Sequence, residues 1–440
     1  MAKKNFYQLL AFLVVGAVLV LGTSCEGPAG PAGKDANETC KQCHNPNVVD
    51  LKLQQYEFSK HATGEAALGE TGNASCSPCH ESNGFKFVCA NNTPVTFTLN
   101  STTGKYANDY TGNDTVAFGE FKCNTCHKNL HTAYDTTDFY PLTSVAPVAM
   151  TMWAGAKTID LKQDDSKSNL CVKCHQPRPL TKSSSLSDGN VIDYNALVSN
   201  PTAVFYDASV GNKAPNTLVP GYRTHVHYGG VGAIYAGVGG IEFAGSVAYT
   251  NSKHTTVASC QECHMADVVS STTNGLSGGH TFKSKGNFKG CNVSGCHGDA
   301  PLSASSPKFT DTRKAVQTLL ETLASKLTTN GVEILHKDAS SSNLWQGITS
   351  KNYDGYLDIY DPSINPGGAI KNPAPAKSWT AAQVATNDGL VQLESLKNVQ
   401  IGALINFQLC LREYSLGIHN TNYSKALLNN TIDALTAAGY

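Results

Sequence analysis

Five times this chain spells Cys-x-x-Cys-His: at Cys40, Cys43 and His44; Cys76, Cys79 and His80; Cys123, Cys126 and His127; Cys171, Cys174 and His175; and Cys260, Cys263 and His264. A sixth, stretched copy has four residues between Cys291 and Cys296, again with a histidine, His297, directly after. Two thiols followed at once by an imidazole are the pattern of covalent haem c attachment: the thiols bond the porphyrin and the histidine becomes an axial ligand of the iron. A zinc site built on Cys-x-x-Cys needs four ligands per metal and gives no reason for a histidine at the next position. Six covalently bound haem c groups are therefore the expected cofactors.

Each iron has a second face to fill. Eight histidines remain: His61, His131, His225, His227, His254, His280, His336 and His419. Methionine is scarce, and Met265 directly follows a proximal histidine, so it cannot easily swing to the opposite face. Ligation by two histidines is thus expected at most or all haems, and exchanging methionine for histidine removes a feature that raises the potential. His254 and His61 share the context Ser-Lys-His, His280 sits in Gly-Gly-His-Thr-Phe and His419 in a tight Gly-Ile-His-Asn turn; all four are expected distal ligands. His131 is too near His127 to reach the far side of the same iron and is assigned to a neighbouring haem. Of His225 and His227, alternating across Thr-His-Val-His-Tyr, one is expected to ligate and the other to bond a propionate. His336 is the expected bystander.

Fifteen cysteines would suggest a disulfide scaffold, but the motifs use all except Cys25, Cys89 and Cys410. Cys410 falls on an apolar helical face and reads as a buried free thiol; the alternative is a disulfide with Cys89. Lys3 and Lys4, the apolar run from Leu9 to Gly22 and the small residues Thr23 and Ser24 make a secretory leader over 1–24, too short for a good membrane span. Leu-Gly-Thr-Ser-Cys25 resembles a relaxed bacterial lipoprotein box, with Cys25 as the lipidated residue. An exported protein facing the periplasm or cell surface, held to a membrane by its lipid, is the expectation. The formal charge is −1, and each ferric haem with ionised propionates adds roughly one more negative charge. No basic patch argues for nucleic acid.

These motifs need a frame. Residues 25–39, with Gly-Pro-Ala-Gly-Pro-Ala-Gly, read as a flexible tether. The span 40–301 is rich in Gly, Ser, Thr and Asn, as expected of loops and short helices wrapped around cofactors; with 40% apolar residues, much of the core would be porphyrin. Alternation in Val95 to Leu99 and in Val116 to Phe121 predicts a small antiparallel hairpin within 94–121. Over 302–440 the pattern turns helical: Val316, Leu319, Leu320, Leu323 and Leu327 with a stop at Gly331, a helix from about Asp388 to Leu416 with one apolar stripe, and a last helix from Thr421 with Leu427, Leu428, Ile432 and Leu435 inward. The fold class expected is mainly α with extensive loops, a multihaem cytochrome c fold closed by a C-terminal helical hairpin. The glycine-rich stretch Gly229 to Gly245 lacks the Gly-x-Gly-x-x-Gly of a nucleotide loop and reads as backbone packed near a haem.

The run from His254 to Met265, followed by Gly-Gly-His280-Thr-Phe, resembles multihaem cytochromes related to the pentahaem nitrite reductases and octahaem hydroxylamine oxidoreductases. Asn406-Phe407 and Ser415-Leu-Gly-Ile-His419-Asn, with Tyr423, are similar to the helical ending of many multihaem cytochromes c. The likeness covers roughly residues 220–300 and 390–440, and implies closely stacked haems in a mostly helical frame. The nitrite reductases usually carry lysine in place of the motif histidine at the active haem; no Cys-x-x-Cys-Lys occurs here. The expected function is electron transport along six haems, with redox proteins or external acceptors as partners, rather than catalysis. The alternative is a reductase of a small nitrogen or sulfur oxyanion with one open iron, the sixth motif being the place to look.

Overall fold

In a computed structural model of the chain, the residues described are 36–64, 76–91, 97–100, 105–108, 119–153, 155–178, 180, 192–207, 224–337, 353–360, 391–392 and 395–440. The leader, Cys25 and most of the predicted tether lie outside them. The end of that tether does not: Ala36 to Thr39 open helix α1 (Ala36–Cys43), which carries the first motif.

The frame is built on α5 (Asn398–Arg412), a run of Val, Ile, Leu, Ala and Phe in which all 15 residues are buried. Around it pack α4 (Pro307–Lys326), through Val316, Leu320 and Leu323, and α6 (Thr421–Ala437), through Tyr423, Leu427, Leu428 and Leu435. Short helices α2 (Tyr194–Ser199) and α3 (Val231–Ala236) complete the shell. The predicted C-terminal helices exist, with two corrections. The middle one starts at Asn398 rather than near Asp388, because Ser395–Lys397 pairs antiparallel with Val204–Asp207. It is also buried all round, not along one stripe, because partners cover every face.

Three polar side chains inside α5 fix the path of distant loops. Asn406 accepts from Ile241 N (2.8 Å) and donates to Ile241 O (2.7 Å) and Thr431 Oγ1 (2.8 Å). Gln408 accepts from Val226 N and donates to Thr224 O and Gly355 O. Arg412 donates to Val226 O and Asp354 O while lying against the rings of Tyr228 and Tyr356. Buried polar groups are stable only when so paired. The result is that residues 224–243 are held against α5 by main-chain atoms.

Helices and small two-stranded sheets share the described residues, with no closed barrel; this is more mixed than the mainly α expectation. An antiparallel hairpin is present within 94–121, with Phe97–Asn100 paired to Lys105–Asn108; Val116 to Phe118 of the other predicted strand lie outside the described residues. The glycine-rich stretch packs partly on the C-terminal helices and partly against the motif residue His175. A Cβ on Gly240 would fall 2.6 Å from Leu427, and one on Gly232 the same distance from the carbonyl of His175. Residues 302–440 therefore share one apolar core with residues 148–243 rather than docking as a separate hairpin.

Replacing Asn406 by Ala should lower stability by roughly 2–4 kcal/mol, since it strands the Ile241 and Thr431 groups. Asn429→Ala, which removes one bond within α6, should cost less than about 1 kcal/mol. Guanidinium unfolding of the two variants checks the difference.

Candidate functional site

Within each regular motif the backbone makes one tight turn. The histidine N–H donates to the carbonyl of the first cysteine at His44 (2.7 Å), His80 (3.0 Å), His127 (2.9 Å) and His175 (3.0 Å), and Cys260–His264 is itself helical. That turn brings both thiols to one side, since residues three apart are neighbours on a helix. The stretched motif closes in the same way: His297 N donates to Cys291 O at 3.1 Å, with Gly295 at φ 82° inside the enlarged turn. The added residues are absorbed by a glycine that tolerates the left-handed region.

Every motif histidine has a second imidazole beside it. Ring centres are 5.9 Å apart for His44 and His131, 6.0 Å for His80 and His227, and 6.3 Å for His127 and His280. They are 6.1 Å apart for His175 and His61, 6.2 Å for His264 and His419, and 6.2 Å for His297 and His254. Two metal–nitrogen bonds of about 2 Å, plus the half-ring behind each nitrogen, also span about 6 Å. Among the described residues no three His, Cys, Asp or Glu side chains gather into a metal-holding group. The imidazoles come in twos, which suits an iron whose other ligands are porphyrin nitrogens. The residues present thus fit haem, with the motif cysteines as attachment points.

The rings are also held in a usable tautomer. His127 Nδ1 lies 2.7 Å from Phe139 O, His264 Nδ1 2.9 Å from Phe282 O, His254 Nδ1 2.7 Å from Ile418 O and His227 Nδ1 2.9 Å from Tyr228 O. A carbonyl only accepts, so Nδ1 carries the proton and Nε2 keeps its lone pair for a metal. His419 Nδ1 instead meets the carboxylate of Glu413.

Burial favours the neutral form at several of these rings. Burial, with the neighbouring histidines, pushes His175 down to about 3, and burial with His127 pushes His280 to about 4. Burial likewise lowers His61, His264 and His297. His61 and His175 nevertheless keep much of their surface open. Deep placement and open surface agree if the rings face a gap inside the fold, which is what a porphyrin slot requires. Burial also acts against His419, but Glu413 outweighs it and raises that ring. Glu413 itself is fully buried; burial raises it, yet His419, Gly417 N and Ser415 hold it below its ordinary value.

Neighbouring pairs share residues. The ring of Phe282 lies 4.9 Å from that of His61 and 5.8 Å from that of His280, while its carbonyl holds His264. Phe282 therefore touches the third, fourth and fifth pairs. Ile418, which holds His254 of the sixth pair, precedes His419 of the fifth. Cys79 Sγ approaches Lys173 O, beside Cys174, at 3.8 Å, linking the second motif to the fourth. His127 and His131 stand on one loop, in which Asp138 accepts from Thr132, Ala133 and Tyr134 N–H groups.

Of the two alternating candidates, His227 stands by His80, whereas His225 packs on Tyr228 and Tyr356. His336 Nδ1 bonds the carboxylate of Asp354 at 2.6 Å, and its Nε2 faces Asp358 at 3.8 Å. Cys89 and Cys410 are both buried and free. Glu413 was not singled out from the sequence, since a carboxylate six residues from a histidine has no motif; Phe282 and Ile418 stand in the quoted Gly-Gly-His-Thr-Phe and Gly-Ile-His-Asn stretches, but only for their histidines. Comparisons with protein families, curated proteins and solved structures found no match for this chain.

The pairing makes a direct prediction for two adjacent histidines. His227→Ala should leave one iron of the haem-loaded protein five-coordinate and produce a high-spin signal, while His225→Ala should leave the low-spin spectrum intact. Electron paramagnetic resonance of the oxidised variants reads the difference.

Proposed function

We propose that this chain is a hexahaem c-type electron carrier, exported and lipid-anchored, that passes electrons along saturated haems without a substrate site of its own. The observation that carries this reading is the set of six imidazole pairs at one narrow separation, each joining a motif histidine to a histidine from elsewhere in the chain. Haem supplies one-electron exchange between ferric and ferrous iron. The protein's own residues attach it through the motif cysteines, close both axial positions, and set the order in which neighbours meet.

Shared residues support a spatial order of first, third, fourth, fifth and sixth centres, with the second joined at the fourth. His127 and His131 couple the first two of these, Phe282 the next three, and Ile418 with His419 the last two. A closed axial shell changes little when iron changes oxidation state, which suits rapid transfer. The reductase alternative needs an open iron, and its best candidate, the stretched motif, has His254 beside His297. The leader and the lipobox-like Cys25 support export and anchoring.

The purified protein should contain six covalent haems by mass and by pyridine haemochrome spectrum, and should be wholly low-spin when oxidised. The rings of His264 and His419 lie 16° apart, those of His44 and His131 20° and those of His127 and His280 28°. Near-parallel imidazole planes split the iron dπ orbitals and should give rhombic signals. The pairs at 71° and 77°, His61 with His175 and His254 with His297, should give the strongly anisotropic low-spin type. A high-spin fraction that shifts on adding nitrite would favour the reductase instead.

A further inference from the structure

Glu413 ends α5 and is wrapped by the next four residues. Its Oε1 accepts from Ser415 N (3.1 Å) and Gly417 N (2.9 Å); its Oε2 accepts from Ser415 Oγ (2.7 Å) and from His419 Nδ1. Tyr414 and Leu416 adopt left-handed backbone at φ 66° and 55°, with Gly417 at 85°. Such conformations cost a non-glycine residue on the order of 1 kcal/mol or more; here they turn successive N–H groups onto one carboxylate. The side chain is wholly shielded from solvent. Where His127, His227, His254 and His264 lean on neutral carbonyls, His419 leans on this buried anion.

We infer that Glu413 is a potential-setting residue: by drawing on the Nδ1 proton of His419 it makes that imidazole a stronger donor and lowers the reduction potential of the haem held between His264 and His419. A carboxylate behind a ligating histidine raises ligand basicity, and a stronger ligand with a nearby negative charge stabilises ferric over ferrous iron. The event tuned is a single electron moving from a neighbouring haem to reduce ferric iron to ferrous. No proton enters or leaves, because the Nδ1 proton stays in its hydrogen bond. The fifth centre, between the fourth and sixth, then becomes an uphill step within the chain of transfer.

This inference rests on the proposed haem ligation, so the test begins with the haem count and low-spin spectrum of the full-length wild-type holoprotein; failure there overturns the underlying reading. Glu413→Gln keeps the size and an accepting oxygen but removes the charge. In a spectropotentiometric titration one of the one-electron steps should move upward, its oxidised-to-reduced ratio at fixed potential falling about tenfold, 59 mV for one electron. The step that moves should be the one whose titration follows one of the three rhombic resonances, not either strongly anisotropic one. Ser415→Ala removes a donor shared by Oε1 and Oε2, together with the hydroxyl that accepts from His419 N at 3.0 Å; with six low-spin haems retained it should move the same step downward. A Glu413→Gln titration superimposable on wild type, with six low-spin haems retained, overturns the inference. If that variant does not assemble, an unmoved or raised step in Ser415→Ala overturns it equally.

Discussion

Two imidazole rings with centres 5.9–6.3 Å apart share no hydrogen bond and little attraction, so the surrounding chain must keep them at that distance. The cost is met by main-chain carbonyls that hold Nδ1 on several of the rings, and by a carboxylate in one case. The remaining nitrogen is thereby left free and aimed. Once that spacing is imposed, segments far apart in sequence must meet: His61 with His175, His80 with His227, His127 with His280, and His264 with His419.

The buried helix Asn398–Arg412 is what lets them meet. Its apolar residues supply the core, but its Asn406, Gln408 and Arg412 decide where residues 224–243 run, because a buried polar group left unpaired costs roughly 1–3 kcal/mol. Bonding Val226 N and Thr224 O on either side of one residue leaves the neighbouring histidines little freedom. One ring then goes to His80 and the other to the Tyr228 and Tyr356 cluster. Helix packing and ligand choice are in this sense one problem.

The loop after that helix shows the same economy at smaller scale. Left-handed residues at Tyr414 and Leu416 are unfavourable alone, yet they gather the donors that keep Glu413 charged inside the fold. A charge buried so deeply would otherwise be neutralised. The carboxylate, the turn and His419 therefore stand or fall together.

The six cysteine–histidine motifs were legible in the sequence, because two thiols and an imidazole lie within local spacing that a single turn closes. So were the C-terminal helices, whose apolar periodicity is strong. What the sequence by itself determined, then, is the set of reactive groups and their local geometry. The placing of His227 rather than His225 beside His80, the partner of His131, the strand that delays the start of the middle helix to Asn398 and the contacts of Phe282 and Glu413 were decided by tertiary structure alone. Each depends on a contact between segments that no local spacing records, since burial and hydrogen bonding across the fold, rather than propensity, select the partner.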